Sequence, residues 1–161
     1  MYEIVKVLNN NTLLASKDNQ EVIFLGKGIG FKKKAGELFQ PNDQCQEYAL
    51  VEKERGKRNI EKDIVSINPI FIEIASEIIR LAKIQFDHVD EKILIPLVDH
   101  IEFAISRLES NMEINNPFTK DIELLFPEEY KIALKGREII EEYTLVEKER
   151  GKRNIEKDIV S

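Results

Sequence analysis

The chain has 161 residues, of which 42% are hydrophobic and 34% are charged, and 24 Lys and Arg against 30 Asp and Glu give a net charge of −6. This balance is typical of a globular protein and excludes a disordered or collagen-like chain. No apolar run approaches the roughly 20 residues that cross a bilayer, and the N-terminus has no signal-peptide pattern. The single cysteine, Cys45, excludes an intramolecular disulfide and a cysteine-cluster metal site. We therefore expect a cytoplasmic protein without a membrane segment.

The charge is unevenly distributed along the chain. Residues 1–49 contain six lysines and six acidic residues, whereas residues 67–144 contain eight basic and sixteen acidic residues. Within the first part, the segment GKGIGFKKK at 26–34 contains four lysines and no acid. Such a basic segment suits a polyanionic ligand, although lysines that merely keep a solvated loop soluble would give the same composition.

The N-terminal part has the pattern of short strands separated by tight turns. We predict strands at residues 3–8, 12–16, 21–25 and 46–53. Asn9–Asn11 and Lys17–Gln20 separate the first three, because Asn tolerates the left-handed region, and another turn is expected near Ala35–Gly36. The pattern predicts a small four-stranded antiparallel sheet. Such a sheet needs its apolar face covered, so we expect a homodimer.

After Asn68 and Pro69 the apolar residues recur with the period of a helix. Asn68 suits the N-cap and Pro69 the first helical position. We predict helices at residues 70–86, 93–108, 119–125 and 128–143, with Pro96 in the opening turns of the second or kinking it. The second part is therefore predicted to be an acidic helical bundle.

One segment of the chain occurs twice. Residues 47–66, EYALVEKERGKRNIEKDIVS, recur at 142–161 with a single difference, Ala49 against Thr144. The near-identity indicates a recent duplication, a recombined reading frame or an assembly artefact. Because the segment is mixed in charge and interrupted by glycine, we interpret the first copy as a strand end plus linker and the second as a disordered tail. A chance helix is the alternative for either copy.

Most catalytic and metal-binding patterns are missing. Gly26, Gly28 and Gly30 lack the spacing of a dinucleotide-binding loop, because position 31 is Phe. No nucleophile, base and acid are suitably spaced, and His88 and His100 are too far apart in sequence for a helical metal pair. We therefore predict no enzyme, no cofactor and no metal.

His100 falls on an apolar stripe of the second predicted helix. The other members of that stripe are Ile93, Leu97, Ala104 and Leu108. A histidine on such a face is usually a hydrogen-bonded core or interface side chain. The alternative is a chemical role, because an imidazole nitrogen is a good nucleophile near neutral pH.

A second candidate site consists of Asn9–Asn11, Gly26–Gly28 and Phe31–Lys34. Asn amides read base edges or phosphates, lysines neutralise phosphates, Phe31 can stack on an exposed base, and glycines allow close approach. All lie at turns or strand ends that a folded sheet could bring to one side. The alternative interpretation is that the two turns are unrelated and that Phe31 is a core residue.

These residues resemble a known family. The motifs I-x-K-V-L-N-N-N and LGKGIGFKKKAG, over about residues 2–53, resemble the RNA-binding (CAT) domain of BglG/LicT/SacY-type transcriptional antiterminators. IASEIIRLAK and LVDHIEFAI, within about residues 67–143, resemble the first PTS regulation domain (PRD) of the same proteins. The resemblance implies an α+β protein with a dimeric sheet domain at 1–54, a charged linker at 55–66, a helical regulatory domain at 67–143 and a tail at 144–161.

The resemblance also implies a function. The family's sheet domain holds an RNA hairpin that overlaps a terminator, so that transcription of sugar-utilisation genes continues. The residues expected to contact RNA are Lys6, Asn9, Asn11, Gly26, Lys27, Gly28, Phe31 and Lys32. Lys27 stands where Arg is common and Lys32 where Gln often occurs, which weakens base-edge readout but retains phosphate attraction. The D-H-I motif places His100 at a site phosphorylated by the sugar phosphotransferase system.

The chain departs from the family pattern in its second part. A full family member has two regulatory domains, whereas this sequence has room for one. The duplicated segment stands where a helix with a second histidine is expected, so we predict a bundle lacking its last helix and impaired regulation. The expected partners are an RNA hairpin, a second copy of the chain and, if regulation survives, the phosphocarrier protein and a sugar permease. The alternative is an interaction module that dimerises with full-length antiterminators without supporting antitermination.

Overall fold

The structure, a computed structural model, describes residues 1–50, 66–110 and 117–160. The described strands are β1 (Tyr2–Asn9), β2 (Thr12–Lys17), β3 (Gln20–Leu25), β4 (Leu38–Phe39) and β5 (Gln46–Ala49). The described helices are α1 (Pro69–Gln85), α2 (Leu94–Glu109), α3 (Thr119–Leu125) and α4 (Pro127–Val160), with a 3-10 turn at Glu91–Ile93 before α2. The chain divides into two compact units, Met1–Glu73 with Asp90–Ile101 and Ile74–Val89 with Glu102–Ser161.

The sheet is antiparallel, with strand order β4-β1-β2-β3-β5. Asp18 and Asn19 connect β2 to β3 with positive φ angles of 52° and 63°. Asp and Asn tolerate this region, which gives a two-residue turn the twist that a hairpin needs. The predicted turns at Asn9–Asn11 and Lys17–Gln20 are thereby confirmed.

The described sheet has five strands, whereas the sequence predicted four. The additional strand, β4, contains only Leu38 and Phe39, and it pairs with Glu3 and Tyr2 at the start of β1. Two residues are too few to show an alternating pattern, which explains why the sequence did not reveal it. The predicted strand at 46–53 is β5 as far as Ala49, and residues 51–53 lie outside the described residues.

Both faces of the central strands are buried. One face contributes a cluster made of Ile4, Leu13, Ala15, Val22, Phe24 and Phe39. Leu14 and Ile23 pair with each other on the opposite face, and both are fully buried. The expectation of a single apolar face was therefore wrong for β2 and β3. The homodimer stays a prediction, but it no longer follows from an uncovered face.

The helices begin where the sequence places them. Asn68 Oδ1 accepts a hydrogen bond from Ile70 N at 3.2 Å, and α1 begins at Pro69, as the N-cap pattern predicts. Pro96 lies in the first turn of α2. A proline is tolerated there because the first N–H groups of a helix have no partner within it.

The buried face of α2 differs from the predicted one. Leu94, Val98 and Ile101 are buried, whereas Ile93 is 42% exposed and His100 is exposed. The helix carries two adjacent apolar stripes with the same spacing, so periodicity alone does not identify the buried one. The interpretation of His100 as a core histidine was wrong.

Helix α4 continues past Tyr143 through Val160, where the sequence analysis expects a disordered tail at 144–161. The backbone there matches the alternative, a helix. Glu, Lys and Arg are good helix formers, and a single interior glycine costs only about 1 kcal/mol. The first copy of the repeat, including the linker expected at 55–66, lies almost wholly outside the described residues. Among the described helices, none has the length and apolar character needed to span a membrane.

Candidate nucleic-acid interface

The turn between β1 and β2 is hydrogen-bonded to the glycine segment that follows β3. Gly26 N donates to the Asn11 carbonyl oxygen and Gly30 N donates to the Asn10 carbonyl oxygen, both at 2.9 Å. Gly28 N donates to Asn11 Oδ1, also at 2.9 Å. These hydrogen bonds join the two segments at the end of β1 and β3 and the start of β2.

Two glycines are required by this arrangement. A Cβ at position 30 would collide with the Asn9 carbonyl oxygen, so only glycine allows the two backbones to approach so closely. Gly28 has a φ of +72°, a conformation that side chains other than glycine rarely adopt. Gly30 is not among the residues predicted to contact RNA. The sequence indicated Gly30 only as the third glycine after Gly26 and Gly28. Such a run is typical of a place where two backbone segments approach closely.

The segment presents its aromatic and basic side chains to solvent. Phe31 is 60% exposed, which excludes the alternative of a core phenylalanine. Lys27 and Lys32 are exposed, and Lys32 Nζ lies 5.4 Å from the centre of the Phe31 ring. Lys32 has a φ of +58°, unusual for a residue with a long side chain. An exposed ring beside two cations suits stacking on a base and attraction of phosphates.

Both the oxygen and the nitrogen of the Asn9 side-chain amide form hydrogen bonds within the chain. Its Oδ1 accepts from Asn11 N at 2.9 Å, which closes the turn. Its Nδ2 donates to Glu73 Oε1 at 3.3 Å, within the first compact unit. Because Nδ2 has two hydrogens, it can donate one further hydrogen bond to RNA while the bond to Glu73 is kept.

Lys6 lies in β1, three residues before Asn9, with its side chain exposed. In the sheet register it is opposite Leu14 of β2. The structure therefore joins Asn9, Asn11, Gly26 and Gly28 by hydrogen bonds and presents Lys6 on the strand that leads into their turn.

Two surface contacts shift pKa values in the described chain. The Tyr2 hydroxyl donates to Glu47 Oε1 at 3.1 Å, and this bond raises the pKa of Tyr2. Arg80 donates to Glu77 at 2.6 and 3.0 Å, which lowers the pKa of Glu77 and raises that of Arg80. Neither contact is a nucleophile–base arrangement. Within the described residues, His, Cys, Asp and Glu side chains form no group that could hold a metal ion.

His100 lies on α2 with its side chain in solvent, next to the exposed Asp99. An imidazole in this position is accessible to a protein that donates a phosphoryl group. His88, between α1 and the 3-10 turn, is also exposed. Exposure alone therefore does not distinguish the two histidines, and the D-H-I motif remains the reason to prefer His100.

Comparison with known proteins identifies both parts. Residues 2–57 match the CAT RNA binding domain and residues 72–151 match the PRD domain. The crystal structure of GlcT CAT-PRDI is similar with a TM-score of 0.69 and 34% identity, over 88% of this chain and 84% of that one. The chain belongs to the GlcT family, whose members combine a CAT RNA binding domain with a PRD domain.

Relatives of this family extend the comparison. Protein GlcT of Staphylococcus saprophyticus is 35% identical over 133 residues, which cover 82% of this chain and 47% of that protein. Protein GlcT of Staphylococcus haemolyticus is also 35% identical, over 135 residues. The chain spans about half the length of the curated GlcT relatives it matches.

Proposed function

We propose that this chain binds an RNA hairpin that overlaps a transcription terminator and so allows transcription of sugar-utilisation genes to continue. The hydrogen-bonded junction between the Asn9–Asn11 turn and the segment from Gly26 to Phe31 is the observation that carries the proposal. It presents an exposed aromatic ring and two cations in the CAT domain of an antiterminator family member. This combination suits RNA, whose unpaired bases stack on aromatic side chains.

Each element of the proposed interface has a distinct role. Phe31 stacks on an unpaired base, Lys6, Lys27 and Lys32 neutralise phosphates, and Asn11 holds the glycine segment in place. Gly26 and Gly28 allow the RNA backbone to approach the protein backbone. We expect two copies of the chain to bind one hairpin, as the family resemblance implies.

In this proposal His100 is the site of phosphorylation, and the expected loss of the last helix of the bundle impairs the regulation that this modification exerts. The phosphocarrier protein or a sugar permease of the phosphotransferase system would be the partner. The bond between phosphorus and the donor's side chain breaks as a P–N bond to an imidazole nitrogen of His100 forms, and the donor side chain leaves with a proton in place of the phosphoryl group. The exposure of His100 on α2 supports this role. A phosphoryl group adds about −1.5 to −2 charges, enough to change the packing of a helical surface.

A specific observation favours a second candidate function. Leu124, Leu125 and Phe126, at the end of α3, are 79%, 73% and 52% exposed. Contiguous exposed apolar residues mark protein interaction sites. They support an interaction module that associates with full-length antiterminators without supporting antitermination.

The proposal is tested by titrating the purified chain with an antiterminator-type RNA hairpin and with a scrambled hairpin, at two salt concentrations. Preferred, salt-sensitive binding of the intact hairpin is expected, with a logarithmic slope of roughly −0.7 to −0.9 per phosphate contacted. A folded chain without preference for the hairpin would contradict RNA recognition and favour the interaction module.

A further inference from the structure

The exposed apolar side chains of residues 1–50 converge on one place. Met1, Phe31 and Leu38 are the large hydrophobic residues that this segment exposes, at 67%, 60% and 64%. All three line one open hollow with a volume of about 670 Å³. Single exposed apolar residues are common, whereas a group of them at one place on the surface marks an interaction site.

Basic and amide side chains complete the hollow. Lys27, Lys33, Gln40 and Asn42 line it, and none of the described residues that line it is acidic. A nucleotide has matching chemistry, since its base has apolar faces and polar edges and its phosphate is anionic. An isologous contact with a second copy would instead bring the lysines of both copies together.

The position of Gln40 is fixed by the strand that precedes it. Phe39, the last residue of β4, is buried and pairs with Tyr2, so Gln40 leaves the sheet from an anchored point. Asn42 Oδ1 accepts from Gln44 N at 3.0 Å and from Cys45 Sγ at 3.3 Å, which commits its oxygen to the local turn. Gln40 is exposed, and its amide offers a donor and an acceptor suited to a base edge.

We propose that this hollow, lined by Phe31, Lys33, Leu38 and Gln40, binds one unpaired nucleotide of the RNA and that Gln40 determines which base is preferred there. Phe31 and Leu38 contact the faces of the base, and Lys33 neutralises its phosphate. The inference rests on the proposed RNA-binding function. It adds Lys33, Leu38 and Gln40 to the residues that the family resemblance assigns.

The test measures affinity of the full chain for an antiterminator-type hairpin and for hairpins in which each unpaired base in turn is replaced by an abasic site. Loss of the base that occupies the hollow is expected to weaken binding about tenfold. Gln40→Ala should reduce discrimination among the four bases at that position by about tenfold. Gln20→Ala, which removes an exposed glutamine outside the hollow, should leave that discrimination unchanged.

A charge-matched pair tests the phosphate contact. Lys33→Ala should weaken binding and reduce the salt slope by about one phosphate, whereas Lys17→Ala removes an equal charge outside the hollow and should do neither.

Four outcomes would overturn the inference. The inference would be refuted if every abasic hairpin bound with the affinity of the intact hairpin. It would also be refuted if the Gln40→Ala and Gln20→Ala variants discriminated equally among the four bases. Neither result would contradict binding of the hairpin by the wild-type chain. A change of oligomeric state in Leu38→Ser, measured by analytical ultracentrifugation, with unchanged RNA affinity would assign the hollow to contact between copies. Failure of the wild-type chain to bind any hairpin would refute the proposed function as well.

Discussion

Asn11 Oδ1 lies 2.9 Å from the backbone nitrogen of Gly28 and accepts its hydrogen bond. The bond joins residues 17 positions apart in sequence. It therefore couples the turn after β1 to the conformation of the glycine segment after β3. Because Phe31 N donates to the Gly28 carbonyl oxygen at 3.1 Å, the position of the aromatic ring depends on the same bond.

Replacing Asn11 with Ala should destabilise the chain and weaken RNA binding. Loss of one hydrogen bond lowers the free energy of unfolding by about 1 kcal/mol, and the freed segment no longer holds Phe31 in place. Urea denaturation and hairpin titration measure the two effects. Asn10→Ala is the matched control, because the Asn10 side chain is exposed and its contact to Gly30 is made by the backbone. Equal stability and affinity in the two variants would contradict this role of Asn11.

Phe31→Ala should weaken RNA binding without changing stability or oligomeric state. Stacking on an aromatic ring contributes about 1–3 kcal/mol per base, and the ring of Phe31 is largely exposed, so its removal leaves the core intact. Phe103→Ala removes a ring of nearly equal exposure, 61% against 60%, from α2. Titration with the hairpin should show a loss of affinity for the Phe31 variant alone. Unchanged affinity would exclude the stacking role.

Glu73→Gln should strengthen RNA binding by about two- to fivefold at low salt, because it removes a negative charge next to Asn9 while keeping an acceptor for its amide. The measurement is hairpin affinity at two salt concentrations, where the difference should shrink at high salt. Glu102→Gln removes an exposed charge from α2 and serves as the control. An equal gain in both variants would indicate a general effect of net charge instead.

Incubation with a phosphorylated phosphocarrier protein should label the wild-type chain and the His88→Ala variant, but not His100→Ala. Both histidines are exposed, so the pair tests selection by the D-H-I motif and its surroundings rather than access. Mass spectrometry of the labelled chain locates the phosphoryl group. Label on His88, or label retained in the His100 variant, would show that the assignment is wrong.

The turns and the start of α1 could be predicted from the local chemistry of the sequence. Asp18 and Asn19 occupy left-handed positions that their side chains favour, and Asn68 caps the helix that Pro69 begins. These features depend on a few neighbouring residues, and the sequence shows them directly.

Features that depend on distant residues were not predictable in the same way. The bond from Asn9 to Glu73 spans 64 positions, and neither residue carries a local sign of it. His100 is exposed because the other of two apolar stripes on α2 is buried. Which stripe is buried depends on packing against distant residues, and both stripes have the same spacing in the sequence. Seven of the eight residues of the predicted RNA interface belong to the candidate site defined by residue chemistry, and the family motif adds Lys6. The structure adds Gly30, whose role follows from its distance to the Asn9 carbonyl group.

Single-round transcription through a terminator that overlaps the hairpin tests antitermination most directly. We expect the wild-type chain and the Phe103→Ala variant to raise the fraction of full-length transcript in proportion to their concentration, and the Phe31→Ala variant to have little effect. A wild-type chain that binds the hairpin but leaves the fraction of full-length transcript unchanged would contradict the proposed function.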